Sequence, residues 1–213
     1  MRLNFKGFIL LSGILFGPAT AFSAVTVYTN EAAWLAATSG SITVEDFESS
    51  PLGLLAPGTT NIGSFDISIA NNADNVVAIA DGGSVNGSRE FQGFVASTSN
   101  LSIDFSNFSA SPLYAFAGEW FSTTTGNLLT MNINGTTIKF DDYLSGVGSG
   151  FLGFVDTNAF TNINFGTEGT TSFGEFFSLD DAQFAGASVP EASSLYLLAF
   201  GLLGLLGAAR RKF

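Results

Sequence analysis

Between Leu128 and Phe140 the chain reads LLTMNINGTTIKF, a stretch that allows little besides two antiparallel strands. Leu129, Met131 and Ile133 alternate with polar residues, and Asn134-Gly135 then supplies two residues that tolerate positive φ in a tight hairpin turn. A period of two places all three apolar side chains on one face, whereas a helical period scatters them.

The same pattern recurs along most of the chain. Ile42 to Ser49, Phe65 to Ala70, Val76 to Ala80, Leu101 to Ser106 and Leu113 to Phe121 are short, rich in β-branched or aromatic residues, and bounded by Gly, Asn, Ser and Pro. FLGFVD, FTNINFG and FFSLDDAQFA add three more, the last ending at Ala185. Ahead of them, Thr29 or Asn30 caps one short helix whose Trp34 and Leu35 face inward and whose end is marked by Gly40. Nine or ten strands and one early helix, with no fixed-period repeat, predict an all-β two-sheet sandwich.

Charge is distributed unevenly. The formal net charge is −11, yet five of the seven cations stand at the two ends. Between Ala24 and Val189 only Arg89 and Lys139 are basic, against seventeen of the eighteen carboxylates. Such a body repels phosphate backbones, which argues against a nucleic-acid partner. With neither Cys nor His present, disulfides, thiolate or imidazole metal sites and the usual general base are excluded. Acyl transfer has no nucleophile and base to draw on, because a Gly-x-Ser-x-Gly elbow is missing as well.

The ends carry an address. Arg2 and Lys6, an apolar run from Phe8 to Phe16, a Gly17-Pro18 break and small residues at Ala21 and Ser23 have the order of a secretory leader. At the other end, the charge-free stretch from Leu195 to Ala209 rises only about 22 Å as a helix, against roughly 30 Å of hydrocarbon, so it is a marginal transmembrane helix. Arg210, Arg211 and Lys212 then hold the C-terminus in the cytoplasm. The chain thus divides into a signal peptide at 1–23, a β-sandwich domain at 24–187 and a tail at 188–213.

Val189-Pro190-Glu191-Ala192, followed by Ser, a Leu/Gly-rich apolar run and the Arg210-Arg211-Lys212 cluster, resembles the PEP-CTERM sorting signal of Gram-negative bacteria. Ala192 stands where a second Pro is usual in that family. The resemblance implies an exosortase and the secretion machinery as partners. It also implies transient anchoring in the inner membrane through the tail, and a final place at the cell surface, in the extracellular matrix or outside the cell.

Glu45-Asp46-Phe47-Glu48 near the start and Leu179-Asp180-Asp181 near the end are similar to the bookends of jelly-roll carbohydrate-binding domains. That resemblance implies a jelly-roll-like sandwich whose first and last strands pair. It implies a structural calcium too, held by Asp46, Glu48, Asp180 and Asp181, since carboxylates brought together repel unless a cation lies between them. The role expected of such a protein is structural or glycan-binding without catalysis, with extracellular polysaccharide as the partner. Trp34, Tyr114, Trp120, Phe121 and Tyr143 are either a platform for sugar rings or core, and the even parity of Tyr114, Phe116 and Trp120 favours core. The alternative is a polysaccharide hydrolase using paired carboxylates, Glu119 with Asp141-Asp142.

Overall fold

The computed structural model describes residues 24–38, 40–70, 77–81, 89–96, 101–122, 128–144, 148–168 and 174–186. The leader, the sorting tail and its transmembrane helix lie outside the described residues. In chain order the elements are β1 (Val25–Tyr28), α1 (Glu31–Ala37), β2 (Ile42–Glu45), β3 (Gly53–Leu54), β4 (Gly58–Asn61), β5 (Asp66–Ile69) and β6 (Ala78–Asp81). Then come β7 (Arg89–Val95), β8 (Ile103–Ser106), β9 (Leu113–Ser122), β10 (Leu129–Ile133), β11 (Thr136–Lys139), a 3-10 turn (Phe140–Asp142), β12 (Ser149–Phe160), β13 (Asn162–Thr167) and β14 (Glu175–Ala185).

The strands form two antiparallel sheets. One runs β1-β12-β9-β14-β7-β6-β3, with β2 also paired to β14; the other runs β11-β10-β13-β8-β5-β4. Because β2 joins β14 at Ala182 to Ala185 and β7 joins it at Glu175 to Leu179, these two strands lie end to end along the same edge of β14. The pairing of the Glu45 strand with the Asp180 strand is therefore present.

The hairpin read from Asn134-Gly135 is present: Ile133 opposes Thr136, and both turn residues have positive φ (49° and 80°). Leu129, Met131 and Ile133 are all buried against the facing sheet. Between the sheets lies a phenylalanine core. Phe105 of β8 meets Phe91 of β7 at 5.3 Å, and Phe165 of β13 stacks on Phe177 of β14 at 5.2 Å. Trp120 is buried among Phe116, Phe140, Phe165 and Phe177, and its indole N–H donates to the Leu152 carbonyl at 2.9 Å. Phe116 and Trp120 are thus core, as their parity predicts, while Tyr114 is half-buried.

A seven-residue helix is far too short to persist alone, so α1 depends on its seat. Asn30 caps it by accepting from the Ala33 N–H at 3.0 Å. Trp34 lies fully buried on the outer face of the larger sheet, donating its indole N–H to the Phe154 carbonyl at 3.1 Å. Leu35, expected to face inward beside it, is instead 41% exposed. Neighbouring helical positions diverge by about 100°, and the sheet accommodates only the larger ring.

Five strands end differently from their sequence reading or were not visible in it. β1, β3, β4 and β7 replace segments read as loops, and the stretch from Ile42 to Ser49 stops being a strand at Glu45. In β7 the alternation Phe91, Gly93, Val95 is interrupted by glycine, which removes the apolar signal at its centre.

Candidate functional site

The Asp-Phe-Glu segment ends β2 with a turn instead of extending it. Phe47 has φ of 58°, a backbone region that bulky residues avoid. Its ring is fully buried, 6.4 Å from Phe65 and 6.3 Å from Phe91, so burial of one large side chain offsets the local strain. Side chains on either side hold the turn. Glu45 Oε1 accepts from the Phe47 N–H at 3.0 Å, Asp46 Oδ1 from the Glu48 N–H at 3.1 Å, and the Ser50 N–H donates to the Phe47 carbonyl at 3.0 Å.

Arg89, at the start of β7, closes this corner. Its Nη1 donates to the carbonyls of Glu48 (2.6 Å) and Ser50 (2.7 Å), while its own main-chain N–H donates to Glu48 Oε1 at 2.9 Å. Asp81 completes the arrangement, with Oδ1 4.0 Å from the Arg89 Nε. One guanidinium thus gathers main-chain oxygens and balances the nearby carboxylates, and its planar fork suits two acceptors at once.

A calcium held by Asp46, Glu48, Asp180 and Asp181 requires several of their oxygens around one point. Among the described residues no group of three acidic side chains is placed to hold a metal ion. Asp46 and Glu48 are turned to main-chain donors, and Asp180 Oδ1 accepts from the Asp181 N–H at 2.8 Å. The set as arranged does not fit the ion. Positive charge at this corner comes from Arg89, a residue the sequence could have flagged as one of two cations between Ala24 and Val189.

Asp180 and Asp181 sit at a bulge. The β14–β9 register shifts between Asp180 and Gln183, and Asp181 takes φ of 47°. Asp180 directly opposes Glu119 of β9. Burial, then the nearby charges of Glu31, Asp181 and Asp180, push the Glu119 carboxyl above its ordinary value. Its suggested partners are elsewhere: Asp141 and Asp142 follow Phe140, whose ring packs on Trp120 inside the sandwich. Glu119 alternates with Trp120 and points to the outer face, so the core separates it from that pair.

That outer face also carries a cross-strand aromatic pair. Phe176 of β14 opposes Phe94 of β7 with ring centroids 4.4 Å apart, and Phe176 is 39% exposed. In the next row Gln92 opposes Ser178, and both donate to Glu90 Oε1, at 2.8 and 3.0 Å. Of the aromatic platform read from the sequence, Trp34 and Trp120 are buried and Tyr143 is 42% exposed on the 3-10 turn's far end. The Phe94–Phe176 pair escaped that reading because β7 did.

The functional address lies in the tail: residues 188–212 match the family model of the PEP-CTERM protein-sorting motif. This is a PEP-CTERM protein. The match spans Val189, Pro190, Glu191 and Ala192 and the cations Arg210, Arg211 and Lys212, all outside the described residues. PEP-CTERM signals are recognised by exosortases, and a chain bearing one is exported towards the surface. No curated protein matches this PEP-CTERM chain. Among its described residues, no helix is long and apolar enough to cross a membrane.

Proposed function

We propose that this PEP-CTERM protein is a noncatalytic module of the cell surface or extracellular matrix. Its sandwich, jelly-roll-like in the pairing of its first and last long segments, serves there as a structural or glycan-binding body. The tail holds it at the inner membrane until an exosortase acts after Pro190-Glu191. One observation carries the glycan-binding half: the exposed Phe176 ring backed by Phe94, next to the amide of Gln92. A flat apolar ring stacks on the C–H face of a sugar, and a neighbouring amide takes a hydroxyl.

Mass spectrometry of the mature termini from an exosortase-bearing host tests the sorting half. The expected result is a chain lacking residues 1–23 and those beyond Glu191, and retention of the full tail refutes processing. Affinity electrophoresis in soluble glucans, xylans and galactans tests the other half: retardation is expected, and Phe176→Ala abolishes it. If no polysaccharide retards the protein, the structural role alone stands.

The second reading, a hydrolase, has Glu119 in its favour, a half-buried carboxyl with raised proton affinity opposite Asp180. Release of reducing ends from the same polysaccharides, lost on Glu119→Gln, would establish that reading over the first.

A further inference from the structure

The chain crosses from β3, the edge of the larger sheet, to β4, the edge of the smaller one, and leaves a cavity of about 220 Å³ at the crossing. Its walls are aliphatic, formed chiefly by Leu52, Leu54, Leu55, Ile62 and Ile79. Leu52 and Leu54 are 47% and 61% exposed, so the apolar lining continues out through the mouth. Among the described residues, no charged or aromatic side chain lines it.

One polar atom stands out. Ser50 lines the cavity, is 3% exposed, and its Oγ is buried with no hydrogen-bond partner among the described residues. Its backbone is fixed on both sides, the N–H by Phe47 and the carbonyl by Arg89, so the hydroxyl is held in place. Asn61, also in the lining, is already committed: its amide donates to Asp66 Oδ1 at 2.6 Å and its Oδ1 accepts from the Gly63 N–H at 3.0 Å. A buried hydroxyl left unbonded is costly, which makes Ser50 the natural anchor for an incoming polar group.

Size and chemistry narrow the occupant. A dry cavity of about 150 Å³ accommodates one benzene, so this one takes roughly eight heavy atoms, fewer than a hexose with its hydroxyls carries. Lack of charge in the lining disfavours ions, and lack of rings disfavours a stacked sugar. We infer that the Ser50 corner binds an uncharged aliphatic chain that ends in a single hydroxyl or carbonyl oxygen, the oxygen meeting Ser50 Oγ and the chain leaving past Leu52 and Leu54. This site is separate from the Phe94–Phe176 face and does not depend on the glycan reading.

The test is a 15N NMR titration of residues 24–187, which hold both sheets and the whole described core, with 1-hexanol and 2-hexanone, and with hexanoate as the charged control. Weak binding near the millimolar range is expected for a ligand of this size. Saturable amide shifts confined to 50–55, 60–62 and 79 with either neutral probe support the site; shifts that are absent, or spread equally over exposed apolar residues such as Leu35 and Val44, overturn it. Ser50→Ala should weaken binding roughly fivefold, the equivalent of one neutral hydrogen bond. Leu54→Ser, at an exposed position that leaves the core intact, should weaken it as well. Unchanged affinity in Ser50→Ala, or hexanoate binding as well as hexanol, would refute the polar anchor.

Discussion

Replacing Gly153 by alanine adds one methyl group beneath α1, at a point where the structure has no room for it. An ideal Cβ there lies 2.6 Å from the Ala117 Cβ and 2.8 Å from the Trp34 Cδ1, whereas carbon atoms settle about 3.5–4.0 Å apart. Ala117 belongs to a central strand and cannot retreat, so Trp34 must move by about 1 Å, which also lengthens its bond to the Phe154 carbonyl. Overpacking of this kind costs about 1–3 kcal/mol and the weakened hydrogen bond about 1, against a gain of roughly 0.5 from the stiffer unfolded chain. The net loss is about 2 kcal/mol. With a urea slope near 2 kcal/mol/M, the midpoint of residues 24–187 falls by about 1 M. Trp34→Ala alone should cost about 3–5 kcal/mol, since it deletes a fully buried indole. In that background the added methyl meets only Ala117, so the second substitution should cost at least about 1 kcal/mol less than it does in the parent. Strict additivity of the two substitutions would refute the claim that the indole sets the cost.

Other outcomes follow from the Arg89 corner and from the acidic row. Arg89→Gln loses two charge-assisted bonds and should lower the thermal midpoint by about 5–10 °C, with Arg89→Lys recovering only part; an unchanged midpoint would show the corner to be incidental. Because the guanidinium already supplies the positive charge, added calcium or a chelator should leave that midpoint where it is, and a rise of several degrees with calcium would overturn the argument. Glu119 has its folded proton affinity raised, so its ionisation disfavours the folded state: the cost is absent below the ordinary value of 4.5 and grows as pH rises above it. Glu119→Gln should therefore stabilise the domain at pH 7 by a few tenths of a kcal/mol, as expected for a like-charge pair across strands, and the gain should vanish near pH 4 in urea titrations. Substituting Pro190 and Glu191 by alanine should leave the tail attached, read as intact mass in membrane fractions.

Local signals and long-range ones were unequally legible. The Asn134-Gly135 hairpin, the Asn30 cap and the inward parity of Phe116 and Trp120 all act within a few residues, and each was visible before any fold was known. The Asp-Phe-Glu motif was visible too, but its role was misjudged. Its carboxylates suggested a metal, whereas its partner is an arginine forty-one residues further along the chain. Phe47 is the working residue of that motif, a plug at positive φ that no local preference would place there.

From sequence alone come the export address and the β-rich body, because a sorting signal is read as a linear string and strand alternation needs only nearest neighbours. Tertiary structure alone decides that β2 and β7 meet end to end on β14, that Arg89 seals the junction, that Leu35 turns outward and that Ser50 is left with an unbonded hydroxyl inside a cavity. Each of those depends on which distant segments share a sheet edge, and a chain's composition and periodicity do not encode that choice one residue at a time.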